Sequence, residues 1–433
     1  MSELATQLAE ALPSEADFGP EWFRELRNTG AESFRKHGLP TRKDEAWKYT
    51  GLGLLDRGGV QVAIEADISG SDSSQATPLA EAACRVNMLD GCLLDQTGDL
   101  AAGLSVLSLD DALVAGTKGL QGLLESLHSQ HPEGSSSDGF SALNTATLDS
   151  GVVIHLAEGI DGGRLLMNYS SRAGETPFLF NTRVCVILEK NAKLELLEQF
   201  ENPNDNSNTC NIVLQADLAL DARLQHVRFQ QEKDTAILIT RTEISQQGDS
   251  EYAYFGFDLG GGLVRHDLHT SLHGSGARSA LNGAYLLDGN RHVDNHARVD
   301  HKAAGGFSDQ YFRGVASGNG KAVFNTAVCV HEGADETEAR QSNANILLSA
   351  RAEVDTKPEL EIYADEVIAS HGATVGQLDE LAIFYLRSRG LSEQEARQML
   401  TTAFCRSVSD KLDDPVLGEV ISERMIDVMP QAE

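Results

Sequence analysis

At 433 residues the chain is long enough to bury a large core and to form more than one domain. Its formal net charge of −30, from 65 acidic against 35 basic side chains, argues against nucleic acid and anionic membrane surfaces as partners, because both call for clustered Lys and Arg. Hydrophobic residues make up 41% of it, and no apolar run reaches the roughly 18 residues of a membrane-spanning helix.

The opening residues, MSELATQLAEALPSEADF, are acidic and have no basic region followed by an apolar core, so a cytoplasmic protein is expected. Leu4, Leu8, Ala9 and Leu12 share one face of a first helix, ended by Pro13. Pro20 suits the first turn of a second, with Trp22, Phe23, Leu26 and Phe34 as its apolar stripe and Gly38 as its stop. In PTRKDEAWKYT (Pro40 to Thr50), Trp47 and Tyr49 are expected to pack this region onto the rest of the chain. From Val60 to about Ser150 the signals are mixed. SGSDSSQAT (Ser69 to Thr77) and PEGSSSDG (Pro132 to Gly139) are polar loops, and between them Val106, Leu109, Leu113 and Leu120 to Leu127 suggest helix.

From Gly151 to about Val367 short β-rich runs alternate with turns of Gly, Asn and Asp. Runs beginning at Lys193, Arg223, Glu251 and Ala277 lie 30, 28 and 26 residues apart. Strand-rich repeats of this length, without helical periodicity, predict a β-helix or stacked β-sheets. Thr356 to Asp379 begins as a strand and passes at Ser370-His371-Gly372 into a helical pattern starting near Thr374. A histidine at such a junction can face a ligand, a metal or a partner chain, or serve only as a turn residue.

The last sixty or so residues are helical. Val375, Leu378, Ala382 and Tyr385 line one face before Gly390. Ser392 to Glu395 is a capping box for a helix burying Ala396, Met399, Leu400, Ala403, Phe404 and Ser407. Asp414-Pro415 supplies the N-cap and N1 proline of a third helix, which carries Leu417, Val420, Ile421, Met425 and Val428. The three helices suit either a cap over the repeats or a docking face.

Complete active sites are missing from the sequence. His292, His296 and His301, with Asp294 and Asp300, are the strongest metal-like group, and a metal-dependent enzyme built on them is one alternative. On a strand His292 and His296 share a face that His301 does not. His266, His269 and His273 form a second group, expected as exposed polar positions on a sheet. The abundant carboxylates leave a β-helix carbohydrate-active enzyme as another alternative. Gly260 to Gly262 lack the Lys and Ser/Thr of a phosphate loop, and GxSxG does not occur. Cys84, Cys92, Cys185, Cys210, Cys329 and Cys405 are scattered with no CxxC, so they are expected reduced and buried, Cys405 in helical core.

AEVDTKPELEIYADEV, followed by SHGATVGQLD and IFYLRSRG, resembles the C-terminal signature of the SufB/SufD family of the SUF iron–sulfur cluster assembly system. The likeness extends through EARQSNANILLSARAEVDTKPE, HVDNHARVDH and PTRKDEAWKYT. Gly372, where SufB-type chains tend to carry glutamate, favours the SufD branch. The resemblance implies a mainly β fold: a right-handed parallel β-helix flanked by N-terminal and C-terminal α-helical domains. Its expected layout is an N-terminal helical region at 1–59, a mixed region at 60–150, the β-helix at 151–368 and a helical domain at 369–433.

The resemblance further implies a non-enzymatic scaffold subunit of a SufBCD-type complex. A SufB-like paralogue would pair with the β-helix edge, and a SufC-like ATPase would dock on the C-terminal helices, where Leu378, Phe384, Tyr385, Met399 and Phe404 are the candidate contacts. The isolated chain is a possible homodimer through the same edge. His371 is implied to act at a shared interface, as a ligand or proton-transfer group for a transient iron–sulfur cluster whose essential cysteine comes from the SufB-like chain. Ala369 stands where many relatives carry a cysteine, so His371 is the reactive group left in the motif. No cofactor is expected to bind tightly to this chain alone. Reduced flavin is linked to such complexes, but no flavin motif is found in this sequence.

Overall fold

A computed structural model describes residues 2–12, 18–56, 61–62, 78–130, 138–172, 177–201 and 208–430. The loop Ser69 to Thr77 and Pro13 lie outside these residues, as does PEGSSSDG apart from Asp138 and Gly139.

Successive strands alternate between two sheets and wind the chain into a parallel β-solenoid. Gly151–Leu156, Phe178–Leu188, Thr209–Leu218, Ile237–Gln246, Leu263–Leu272, His292–His301, Lys321–Val330 and Glu353–Ile362 stack in the first sheet. Asp161–Ser170, Lys193–Phe200, Arg223–Gln230, Glu251–Asp258, Arg278–Leu287, Phe307–Ala316, Thr337–Leu347 and Val367–Gly376 stack in the second. The repeats legible in the sequence are register partners: Lys193 pairs with Arg223, Arg223 with Glu251, and Glu251 with Arg278, one residue past Ala277.

The turns explain why Asn, Asp and Gly recur. Asn191, Asp221, Asp249, Gly276 and Gly305 occupy stacked turns at positive φ, a region most L residues avoid. Each donates its backbone N–H to the turn stacked next to it, so the connections form a hydrogen-bonded ladder of their own.

Strand alternation divides the burial. Inward positions such as Leu196, Leu214, Val264 and Phe324 fill the solenoid. The outer face of the first sheet is covered by N-terminal elements: Leu8, Phe34, Trp47 and Leu143 pack with Leu179, Ile237 and Ile239. The helices Glu380–Ser388, Glu393–Ser409 and Pro415–Asp427 cover the second sheet, where Ile383, Cys405, Val408 and Ile421 meet Phe229, Phe257 and Val315. These helices lie along a side of the solenoid, and among the described residues no strand pairs onto its last rung. The predicted capping box at Ser392 is formed, and Asp414 caps the helix begun by Pro415.

Three readings change. Val106 belongs to a strand, Leu104–Ser108, and helix begins only at Leu109. Cys84–Leu89 and Cys92–Gly98 form an antiparallel hairpin closed by Asp90-Gly91, both at positive φ. The stretch from Thr356 holds parts of two strands, so His371 lies inside Val367–Gly376 and helix starts only at Glu380.

Trp47 ties the N-terminal segment to the solenoid. It is buried, stacks on Phe140 with ring centroids 5.6 Å apart, and lies 3.9 Å under the Arg265 guanidinium. Arg265 also donates to the Ala46 carbonyl at 2.9 Å and pairs with Asp294 and Asp267.

Candidate functional site

Glu353–Ile362 and Val367–Gly376 close the two sheet orders, and neither has a partner on its outer side among the described residues. Pro358 within the first suits an edge, where a missing N–H costs no ladder bond. Every residue of both strands keeps some exposure, unlike the strands beneath. Ile362, Tyr363, Ile368 and Val375 are exposed apolar side chains on or beside this rung, Ile368 to 72%. Unpaired main-chain groups and apolar side chains together make a template for strand addition.

His371 sits at the middle of the rung. It pairs in register with Gln341, an inward-facing residue, so its side chain belongs to the inward row of the last turn. With no further turn above it, the imidazole is exposed, and it has no hydrogen-bond or ion-pair partner among the described residues. The interior below is amide-rich rather than aliphatic. Gln341 donates to Thr326 at 3.1 Å, and Thr326 donates to Gln310. Asn345 donates to Asn343 at 2.6 Å, and Tyr285 donates to Asn345 at 2.6 Å. Gln341 Oε1 is buried with no hydrogen-bond partner, one turn below His371. The repeat length places QSNAN at 341–345 under HGATV at 371–375, so Gln341 lies beneath His371 and Asn345 beneath Val375.

The predicted docking residues divide. Phe384, Tyr385 and Met399 are at least half exposed, at 70%, 57% and 50%. Phe404 is half-buried, with Arg313 5.8 Å from its ring. Leu378 is a core residue, packed with the cluster of Ile346 and Leu348, because the chain turns inward there to start its helix.

The histidine groups hold one another's neighbours rather than a common centre. His292 bonds Thr50 at 2.9 Å, and burial pushes its pKa down to about 4. His296 pairs with Asp294 at 2.9 Å on the same outer face. His301 faces inward, bonds Ser308 at 2.8 Å, and is likewise pushed by burial to about 4. His266 is not an exposed sheet residue: it is buried between Thr240 at 2.6 Å and Asp258 at 2.8 Å. His269 is clamped by Glu243 at 2.9 Å and Asp300 at 2.6 Å. Despite the opposing effect of burial, the two carboxylates raise its pKa to about 9.

Comparison with known proteins agrees with this architecture. Residues 170–404 match the family model described as SUF system FeS cluster assembly, SufBD core domain. The chain is 31% identical to the iron–sulfur cluster assembly protein SufD of Escherichia coli, across 91% of this chain and 90% of that protein. It is 28% identical to an iron–sulfur cluster assembly SufBD family protein of Synechocystis sp., across 86% of this chain and 84% of the relative. It is also 27% identical to the chloroplastic protein ABCI7 of Arabidopsis thaliana, across 94% and 86%. A solenoid ending in an open rung, with this extent of similarity, identifies the chain as a member of the SufB/SufD family, on its SufD side.

Proposed function

We propose that this chain is a non-catalytic scaffold subunit on which nascent iron–sulfur clusters are assembled together with a SufB-like paralogue. The observation that carries the reading is the position of His371: mid-strand, exposed and unpartnered on a rung whose main-chain groups are free for another chain. Strand addition there would bury the apolar side chains of Ile368 and Val375 and bring the partner's residues over the imidazole. Imidazole is a sound iron ligand beside thiolate. The terminal strands contain no cysteine, so the thiolate comes from the partner. The cluster is cargo, held transiently at the shared interface. In the absence of the paralogue the same edge would pair with a second copy of this chain.

The exposed Phe384, Tyr385 and Met399 offer a face for a SufC-like ATPase. Only three residues separate the strand of His371 from the first C-terminal helix, so movement of that helix on nucleotide hydrolysis would strain the interface.

Co-purification with the partner subunits, followed by anaerobic cluster reconstitution, tests the reading. His371→Ala is expected to preserve the complex and to lose most cluster formation. Normal reconstitution by that variant would remove His371 from the mechanism.

A further inference from the structure

The outer face of the first sheet holds a second cluster of ligating side chains, separate from His371. Asp300, Cys329 and Glu361 are consecutive register partners across three strands. His331 lies two residues past Cys329 in the chain. An Asp300 oxygen, the Cys329 sulfur and a His331 ring nitrogen all lie within 4.8 Å of one another. Asp300 and Cys329 are buried, while His331 faces the solvent at 43% exposure. The set therefore has a sheltered floor and an open approach.

We propose that Asp300, Cys329 and His331 form a binding site for a divalent transition-metal ion of borderline softness, the class exemplified by zinc(II). A carboxylate, an imidazole and a thiolate are the donor types such ions take, and three protein ligands with one open position is a common arrangement. Metal–ligand distances of about 2.0–2.3 Å require the three groups to close modestly around the ion. His331, half in solvent and one residue past the strand Lys321–Val330, is the group free to move.

The supporting contacts already fit that role. His269 Nε2 holds the second oxygen of Asp300 at 2.6 Å, the outer hydrogen bond that orients a metal-binding carboxylate. His331 Nε2 lies 3.4 Å from Asp300 Oδ1. Arg298 donates to that same oxygen at 2.9 Å and lies 3.8 Å from Glu361. Its guanidinium thus supplies positive charge where the ion would sit. With its side chain 44% exposed, Arg298 can withdraw into water when a metal arrives. Glu361, 52% exposed above Cys329, is placed to pair with it after that exchange. Binding would release the Cys329 thiol proton to solvent, since the thiolate is the ligand.

The test is titration of the purified full-length chain, stripped with a chelator, using cobalt(II) as an optical probe and zinc(II) as competitor. One equivalent of cobalt should bind, with a thiolate-to-metal charge-transfer band that zinc displaces. Cys329→Ser should abolish the band, and His331→Ala should weaken binding by at least about tenfold. Arg298→Gln should tighten binding several-fold, a gain that misfolding cannot imitate. His371→Ala should leave the binding unchanged, so this site stands or falls apart from the role proposed for His371. The proposal is overturned by absence of stoichiometric binding, by undiminished binding in the Cys329→Ser, His331→Ala double variant, by affinity that does not rise in Arg298→Gln, or by loss of binding in His371→Ala.

Discussion

Replacing Arg265 with Met should destabilise the protein by about 4–5 kcal/mol and loosen the N-terminal segment first. Arg265 and Asp294 are each 1% exposed, so removing the cation strands a carboxylate in the interior. Breaking such a pair costs about 3–5 kcal/mol. The lower end applies here, because Asp294 keeps His296 at 2.9 Å and the Thr50 hydroxyl. Loss of the guanidinium from the Trp47 face adds about 1–2 kcal/mol in this desolvated setting. The chain has two tryptophans, so Trp22→Phe leaves Trp47 as a single fluorescent reporter of the clamp. Urea titration followed by that signal should show a lower midpoint, with a red-shifted spectrum before the far-ultraviolet dichroism changes. Adding Asp294→Asn should recover most of the pair's share, since the stranded charge causes the loss. A destabilisation below about 1 kcal/mol, the range of ordinary surface changes, would refute the reasoning. So would a double variant as unstable as the single one.

Acid should weaken the fold through His292. Burial lowers its pKa from the ordinary 6.5 to about 4, so below pH 6.5 the unfolded chain takes up a proton that the folded chain refuses. Stability from this group is flat above 6.5 and falls by up to about 3 kcal/mol as pH drops towards 4. Urea midpoints between those pH values should fall less steeply in His292→Asn, and an unchanged slope would count against the assignment. At Gly314 an added methyl would overlap the Tyr285 ring and Asn345 Oδ1, inside the amide-rich interior. Gly314→Ala should cost about 1–3 kcal/mol in thermal unfolding. Gly372→Ala, which meets nothing within 4 Å, should stay within about 0.5 kcal/mol of wild type.

Repetition was legible in the sequence because a solenoid writes its period into the chain. The runs at Lys193, Arg223 and Glu251 pair residue for residue, and the turn residues between them mark stacked positions at positive φ. The C-terminal helices were legible from their caps, which are local hydrogen-bonding patterns. The hairpin at Asp90-Gly91 carried an ordinary turn signal, overlooked amid weak neighbouring periodicity. His371 falls mid-strand rather than at a strand end, because the four residues Tyr363 to Glu366 connect two strands with only Asp365 among them to mark a turn. Gly372, within the following strand, reads as a strand end instead. The grouping of Asp300, Cys329 and His331 depends on register between strands 29 residues apart, a relation that spacing along one strand does not reveal.

The two ends of the solenoid differ in valence. One finishes on short strands of seven and five residues, Cys92–Gly98 and Leu104–Ser108, that run antiparallel to their neighbours. The other finishes on two parallel strands of ten residues each. Short, reversed strands make poor templates for addition, and long parallel ones make good templates. A molecule with one competent end can join one partner and then stop. Head-to-head pairing closes on itself, whereas two competent ends would propagate into a fibre. Among the described residues the asymmetry leaves this β-solenoid one long open edge, on which a single partner could add without the stack growing into a filament.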